Sequence, residues 1–155
     1  DLRLDEGVHL IAHHAKGLAE RGKQMRMYRE ADGQKKYDDF AHEQSLVFEL
    51  ESGLVVFNSC SHSGVDLVLE EVKQVFGDRT ILAMFGGFHL MGADGPDSMR
   101  ESEAQVRSLA EKLSGMNVAA LYTGHCTGTK AFPILKEVLG ERLNLLVTGM
   151  SVEIF

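Results

Sequence analysis

Residues Leu54 to Gly64 read Leu-Val-Val-Phe-Asn-Ser-Cys-Ser-His-Ser-Gly, an apolar run of strand length that stops in a small polar turn. The pattern recurs twice: Ile81 to Leu90 reads Ile-Leu-Ala-Met-Phe-Gly-Gly-Phe-His-Leu, and Val118 to Gly128 reads Val-Ala-Ala-Leu-Tyr-Thr-Gly-His-Cys-Thr-Gly. Each turn is followed by a segment of helical pattern. Neighbouring strands of an open α/β sheet form its ligand crevice at their carboxyl ends, so these three turns are expected to meet there.

Each of the three turns carries one histidine: His62, His89 and His125. A single histidine more often has a structural role, but three in equivalent turns favour a shared metal site, because imidazole is the commonest protein metal ligand. Glycines and small residues beside them allow the backbone to approach an ion closely. We therefore predict these three side chains as metal ligands.

The composition of the 155 residues is that of one soluble domain, with 44% hydrophobic and 25% charged residues. No apolar run approaches the ~18–20 residues of a membrane span, and no secretory leader is recognised at the start. A formal net charge of −7 argues against a nucleic-acid partner. The two cysteines, Cys60 and Cys126, lie in histidine turns and make no disulfide framework, which favours a reduced, cytoplasmic setting.

The first 45 residues are the least regular part of the chain. Val8 to Ala12 is expected to be a short strand, and residues 13–39 are expected to be a loop with one or two helical turns at most. Since the chain begins at Asp1 without a methionine and starts abruptly, we expect it to be the C-terminal part of a longer protein.

The strand–turn–helix units are expected over residues 46–155. Alternation predicts a strand over 44–50 that forms a hairpin with 54–58. The remaining predicted strands are 81–85, 118–122, 143–148 and 150–155. The predicted helices are one over 65–76 that ends at Gly77, one capped by Ser98 that ends at Gly115, and one capped by Gly128 or Thr129 that ends at Gly140.

Gly124 to Gly128 also has the Gly-x-nucleophile-x-Gly form of a nucleophile elbow between a strand and a helix, with Cys126 as the nucleophile. A cysteine hydrolase of this kind needs a histidine base, which usually follows the nucleophile in the chain. No histidine follows His125, which counts against the elbow.

Together, the three turns and the segment Asp38 to Val47, which reads Asp-Asp-Phe-Ala-His-Glu-Gln-Ser-Leu-Val, resemble the metallo-β-lactamase-fold hydrolases. They are most similar to the branch labelled 7,8-dihydropterin-6-yl-methyl-4-(β-D-ribofuranosyl)aminobenzene-5′-phosphate synthase. The resemblance covers nearly the whole chain in the right order. It implies an α/β fold, namely half of an αββα sandwich, with a mixed sheet and helices on one face.

The resemblance also implies a centre of two divalent metals, zinc or alternatively iron or manganese, at the edge where two sheets meet. His62 and His125 match family ligand positions. Many relatives place an aspartate on the strand between them, but Ile81 to Leu90 holds no carboxylate, so His89 either replaces it or faces the substrate. Candidates for contacts to the substrate or to the ligands are Asp39, Ser61, Cys126 and Thr127.

The family's first half contributes a His-x-His-x-Asp-His motif, which does not occur in these 155 residues. The resemblance therefore implies a C-terminal half that needs a missing N-terminal half or a second copy, and that alone is inactive. Asp38-Asp39 also fits a simple turn, and Glu43 lies either near the site or in an ordinary ion pair.

The leading hypothesis is a metal-dependent hydrolase that acts on a small phosphorylated or ester-type substrate through a metal-activated water. A non-catalytic ligand- or partner-binding module of the same fold is the alternative. The Cys126 hydrolase is third.

Overall fold

The computed structural model describes residues 1–154, which form nine strands, four α-helices and two short 3₁₀ turns. The strands are β1 (Leu2–Asp5), β2 (Val8–Ala12), β3 (Tyr28–Ala31), β4 (Gln34–Tyr37), β5 (Gln44–Leu50), β6 (Gly53–Phe57), β7 (Ile81–Phe85), β8 (Leu121–Thr123) and β9 (Leu143–Leu145). The helices are α1 (Leu18–Met25), α2 (Val65–Phe76), α3 (Glu103–Ser114) and α4 (Ala131–Leu139). None of these helices has the length and apolar character needed to cross a lipid bilayer.

Seven strands form one mixed sheet in the order β1-β2-β5-β6-β7-β8-β9. In this sheet β1, β2, β5 and β6 pair antiparallel, whereas β6, β7, β8 and β9 run parallel to one another. Strands β3 and β4 form a separate two-stranded sheet. Parallel neighbours need a crossover connection, and here α2, α3 and α4 follow β6, β7 and β8 in turn. The carboxyl ends of these three strands therefore lie at one edge of the sheet.

The three crossover helices cover one face of the sheet, as the resemblance implies. Leu54, Val56 and Met84 on this face are 0% exposed, and they belong to the same apolar cluster as the inward side chains of the helices. Those helix residues are Val68, Leu69, Val72, Val106, Ala110, Leu113, Leu135 and Leu139. Burial of this apolar surface is the main force that holds the sheet against the helices.

The opposite face of the sheet carries a row of stacked rings, because side chains alternate between faces along a strand. Phe57 stacks on Phe85 with 4.8 Å between ring centroids, and Phe85 stacks on Tyr122 at 4.6 Å. Phe57 is nevertheless 39% exposed. We call Phe57, Phe85 and Tyr122 the aromatic face.

Several predicted elements are confirmed. These are the Val8–Ala12 strand, the β5–β6 hairpin, α2 with its end at Gly77, the strand over 81–85, and the ends of α3 at Gly115 and of α4 at Gly140. All of them have a clear apolar period or a glycine stop in the sequence.

The expected irregular lead-in is wrong where β1 extends the main sheet and where residues 28–37 form the β3–β4 hairpin, whereas α1 fits the expected one or two helical turns. Helix α1 has only eight residues and buries Leu18, Gly22 and Met25. Gly22 is needed there, since a Cβ would collide with the backbone of Asp38. Such a short helix, with a glycine in its middle, leaves almost no periodic signal.

The predicted helix caps are also displaced. Ser98 donates its hydroxyl to the carbonyl oxygen of Gly95 in a turn, and the capping box is formed four residues later by Ser102 and Gln105. Thr129 donates to the carbonyl oxygen of Pro96, so neither Thr129 nor Gly128 caps α4, and Lys130 takes that position.

Two strands are shorter than predicted. Val118 makes only an isolated bridge to Ile81, and β8 begins at Leu121. The strand predicted over 143–148 ends at Leu145, and the further strand predicted over 150–155 does not form, because residues 146–154 contain no strand. The final residue of the predicted 150–155 strand, Phe155, lies outside the described residues.

Candidate metal centre

The three histidine turns meet at the edge formed by the ends of β6, β7 and β8. The N–H of Gly87 donates to the carbonyl oxygen of Ser59 at 2.7 Å, and the N–H of Gly86 donates to that of Tyr122 at 3.0 Å. Met91 donates in the same way to Cys126 at 2.9 Å. Backbone hydrogen bonds thus tie the His89 turn to both of its neighbours.

His62 lies half-buried between two other rings. Its ring stacks on that of Phe40 at a centroid distance of 5.6 Å and an angle of 23°. The ring of His89 approaches it edge-on, with 4.3 Å between centroids. The carbonyl oxygen of His62 accepts a hydrogen bond from Arg21 Nε at 2.6 Å. The position of this imidazole is therefore defined from several sides.

A buried carboxylate, that of Glu43, supports the His62 turn. Glu43 is 4% exposed and accepts hydrogen bonds from the backbone N–H of His62 at 2.8 Å and of Ser63 at 2.9 Å. Burial raises the pKa of Glu43, but the bonds from His62 and Ser63 outweigh it and lower the pKa to about 2. Glu43 is therefore ionised. Of its two predicted positions, near the site or in an ordinary ion pair elsewhere, the structure shows the first.

The same carboxylate also faces the His62 ring. Nδ1 of His62 lies 2.8 Å from Oε1 of Glu43, within ion-pair distance, although the ring is tilted away from a straight hydrogen bond. A carboxylate behind an imidazole is the arrangement that orients metal-binding histidines and raises their basicity.

His89 has a different environment. Its backbone is left-handed, with φ of 49°, which is uncommon for a residue other than glycine. Both ring nitrogens are buried, and neither has a hydrogen-bond partner among residues 1–154. Burial first, then electrostatic repulsion from His62 and from two arginines, lowers the pKa of His89 to about 4. The ring is therefore neutral near pH 7, with a free lone pair, and a half-buried imidazole whose buried nitrogens lack partners fits a metal ligand.

His125 lies beside the two cysteines, whereas His62 and His89 contact each other. A nitrogen of His125 and the sulfurs of Cys60 and Cys126 all lie within 4.8 Å of one another. His125 is exposed, with φ of 49°, and begins a 3₁₀ turn over His125–Thr127. Burial, together with the neighbouring Cys60, raises the pKa of the Cys126 thiol to about 12.

The remaining predicted residues have mainly local contacts. Ser61 is buried, and its hydroxyl donates to Asn58 Oδ1 at 3.0 Å. Thr127 accepts the N–H of Phe88 at 3.0 Å, which links the His89 and His125 turns. Asp39 pairs with Arg29 at 2.7 Å and accepts the N–H of Ala41, as in a turn. These contacts orient turns, and none of them reaches an imidazole ring.

Sequence reasoning missed a buried polar network behind the His62 turn. Glu71 Oε2 lies 2.9 Å from His13 Nδ1, and His13 Nε2 lies 2.8 Å from Ser45 Oγ. Asn58 donates to Ser45 Oγ at 2.8 Å and accepts the N–H of Ser61 at 3.1 Å. A carboxylate, an imidazole and a hydroxyl in this order resemble a hydrolase triad, but His13 and Ser45 are 0% exposed, so the network is structural.

Two comparisons with known proteins agree on the fold, although no protein-family model matches the chain. The chain is 28% identical over 127 residues to 7,8-dihydropterin-6-methyl-4-(beta-D-ribofuranosyl)-aminobenzene-5'-phosphate synthase of Methanocaldococcus jannaschii, across 82% of this chain and 40% of that protein. It also matches a crystal structure described as a metal-dependent hydrolase of the β-lactamase superfamily, with a TM-score of 0.81 and 26% identity. That match covers 99% of this chain and 56% of the other.

The resemblance to the metallo-β-lactamase superfamily and to its dihydropterin-related synthase branch is therefore confirmed, as is the α/β fold class. The chain spans about two fifths of the sequence relative and somewhat more than half of the structural relative. One relative is named a synthase and the other a hydrolase, so the two names do not specify one reaction.

Proposed function

We propose that this chain supplies one half of the active centre of a metal-dependent hydrolase with the metallo-β-lactamase fold. The observation that carries the proposal is the His89 ring, whose two buried nitrogens lack hydrogen-bond partners within residues 1–154 and which lies against His62 where β6 and β7 end. The His125 turn ends at the same edge of the sheet. The structural relative described as a metal-dependent hydrolase supports divalent-metal binding at such a centre.

The ligands in this proposal are His62, His89 and His125. A bound divalent metal of this kind lowers the pKa of a water molecule and polarises a phosphoryl or acyl oxygen, which suits a small phosphorylated or ester-type substrate. The protein's own part is to hold the imidazoles in place. Glu43 fixes the His62 turn through two backbone N–H groups, and the low pKa of His89 keeps its ring neutral and able to donate a lone pair.

The alternative of a Cys126 nucleophile is less well supported. The thiolate is the reactive form of cysteine, whereas Cys126 is 4% exposed and burial raises its thiol pKa to about 12. We therefore assign Cys126 no nucleophilic role.

We further propose that the aromatic face is covered in the complete enzyme by a second sheet, which a missing N-terminal half or a second copy provides. Phe57 is 39% exposed on this face, and stacked aromatic rings are costly to leave in water. We expect a His-x-His-x-Asp-His segment in that second part to supply further ligands. We expect a small-molecule substrate, and no nucleic acid or membrane partner, with a cytoplasmic location.

Metal content tests the proposal first. The purified chain is analysed for zinc, iron and manganese beside the variants His62→Ala, His89→Asn and His125→Ala, with exposed His42→Ala as the control. We expect metal in the parent and in the control, and a lower metal content in each of the three variants. A parent that takes up no metal after exposure to these ions would contradict the proposal.

Turnover is the second test, since metal binding alone does not distinguish a hydrolase from a ligand-binding module. Ester and phosphodiester probes are assayed with the chain alone and after mixing with a polypeptide that carries a His-x-His-x-Asp-His half. We expect hydrolysis that needs both parts and disappears with His62→Ala. Metal binding without hydrolysis in the mixture would favour the non-catalytic module.

A further inference from the structure

The side chains of Cys60, His125 and Cys126 form a cluster at the outer end of the candidate centre. The two cysteines are 66 positions apart in sequence and come from the turns after β6 and β8, yet the thiol of Cys126 lies 3.8 Å from the carbonyl oxygen of Cys60. The two sulfurs and a nitrogen of His125 all lie within 4.8 Å of one another. We call these three residues the thiol cluster.

The dimensions of the thiol cluster suit a single metal ion. Zinc binds sulfur at about 2.3 Å and imidazole nitrogen at about 2.0–2.1 Å in tetrahedral geometry, so two ligand atoms of one ion lie about 3.3–3.8 Å apart. The three ligand atoms all lie within 4.8 Å of one another, which is close to the spacing that a single ion needs. Two sulfurs and one nitrogen are also the donor set that zinc and other soft or borderline cations prefer.

The backbone around the cluster is shaped for close packing of these atoms. A Cβ at residue 87 would collide with the sulfur of Cys126, so Gly87 leaves the space that the thiol occupies. His125 holds a left-handed backbone, with φ of 49°, although it is not glycine. Such conformations cost of order 1–3 kcal/mol and persist where the structure needs them, often at ligand sites.

Exposure rises across the cluster from the inside to the surface. Cys126 is buried, Cys60 is half-buried and His125 is exposed. An ion held by these three atoms is therefore fixed on its inner side by sulfur and faces solvent on its outer side. Three protein ligands with one open position is the pattern of catalytic rather than structural zinc sites.

We propose that Cys60, His125 and Cys126 together bind one zinc-type cation through two thiolates and one imidazole, with the fourth position open to solvent. On binding, each thiol gives up its proton to solvent, so two protons are released per ion. The inference deepens the proposed function, and rests on it for the role of this ion in hydrolysis. His125 remains a ligand of the candidate centre, and the inference adds the sulfurs of Cys60 and Cys126 as ligands of the ion that His125 binds.

Cobalt(II) is the probe that reports this coordination directly. The full chain, stripped with a chelator and kept reduced, is titrated with Co²⁺ and followed by absorbance, because thiolate ligands give an intense near-ultraviolet charge-transfer band that imidazole and carboxylate ligands do not. We expect one equivalent of Co²⁺ to produce this band and one equivalent of Zn²⁺ to remove it. Binding without the band, or no binding, would overturn the inference.

Variants assign the band to the cluster. We expect Cys60→Ser and Cys126→Ala to weaken Co²⁺ binding at least about tenfold and to lower the band intensity, since a removed ligand costs no less than a lost supporting contact. His125→Ala weakens binding but retains the band. His62→Ala and exposed His42→Ala leave the band unchanged. A band of full intensity in either cysteine variant would refute the site.

Two features keep the test decisive. Cys126 is buried, so each variant is first checked for folding by circular dichroism, and half-buried Cys60→Ser carries the result if Cys126→Ala does not fold. The cobalt spectrum also separates this inference from the proposed function. A thiolate band without hydrolysis would contradict the function alone, whereas metal-dependent hydrolysis without the band would contradict the inference alone.

Discussion

The His62 and His125 turns lie at the same edge of one sheet, yet they are supported in different ways. Behind His62 stand the carboxylate of Glu43 and the buried network that runs through Asn58 to Glu71. His125 is exposed, and its turn depends on hydrogen bonds of Thr127 and on packing against Gly87. Buried ionic and polar contacts therefore fix the first imidazole before any ligand arrives.

This difference predicts which substitutions affect stability and which affect metal binding. A site that is pre-organised by a buried charge is costly to disturb, because removal of one partner leaves the other unsatisfied in a low-dielectric interior. A side chain at the surface loses little when a neighbour is removed, and in the proposed centre a bound ion would fix it. Substitutions around His62 should thus affect stability most, and those around His125 should affect metal binding more than stability.

The largest expected effect is that of Glu43→Ala. The substitution leaves the N–H groups of His62 and Ser63 without their acceptor, so we expect the free energy of unfolding to fall by about 3 kcal/mol. Urea denaturation measures this change, with exposed Glu51→Ala as the matched control. A loss no greater than that of the control would show that the carboxylate does not support the turn.

Acidification should weaken the metal-free protein through His89. Its pKa is lowered from 6.5 to about 4, so the unfolded chain binds the proton more tightly than the folded one. The stabilisation is present above about pH 6.5 and is lost as the pH falls toward 4, with a size on the order of 2 kcal/mol after allowance for solvent screening. We expect the free energy of unfolding, measured with a chelator present, to fall across this window.

The variant His89→Asn isolates this effect, because asparagine tolerates a left-handed backbone and does not titrate. The free energy of unfolding of the parent, relative to that of the variant, should fall as the pH is lowered from 6.5. Glu43 contributes a second loss, from about pH 4.5 as the pH falls through about 2, so the comparison is made above pH 4.5. Parallel curves for the two proteins would contradict the assigned role of His89.

Asn58→Ala should have a smaller effect, which is confined to the His62 side. Its amide donates to Ser45 Oγ and accepts from Ser61, and we expect its loss to cost about 1.5 kcal/mol of unfolding free energy. The matched control is Asn144→Ala, whose side-chain amide donates to the nearby carbonyl oxygen of Arg142. The cobalt–thiolate band should stay unchanged, and a weakened band would show that the two turns are coupled.

The sequence predicted the parts of this arrangement that follow from short-range pattern. Strands such as β6 and β7 are continuous apolar runs, and each is followed by a turn with a histidine, so the common edge could be foreseen. The sequence also contains a turn signal for the β3–β4 hairpin: Asp32-Gly33 is a favoured two-residue turn, and both residues have positive φ. Polar strands on both sides of that turn concealed it.

The rest depends on contacts between distant segments, which no local pattern encodes. His13 contacts both Ser45, which is 32 positions away in sequence, and Glu71, which is 58 positions away. The grouping of His62 with His89, and of His125 with two cysteines, likewise depends on how three turns pack. Sequence spacing predicts that such side chains share an edge of the sheet, but not which of them touch.

The smallest expected effect is that of Thr127→Val, on the His125 side. The hydroxyl of Thr127 accepts the N–H of Phe88 and also bonds Thr123 Oγ1, and valine has nearly the same shape without that oxygen. We expect a loss of about 1 kcal/mol in the free energy of unfolding, measured beside exposed Thr148→Val. Because this bond fixes the His89 turn relative to Cys126, the cobalt affinity of the variant should fall more clearly than its stability. A loss of stability as large as that of Glu43→Ala would contradict the difference between the turns, since it would mean that both are held equally by buried polar contacts.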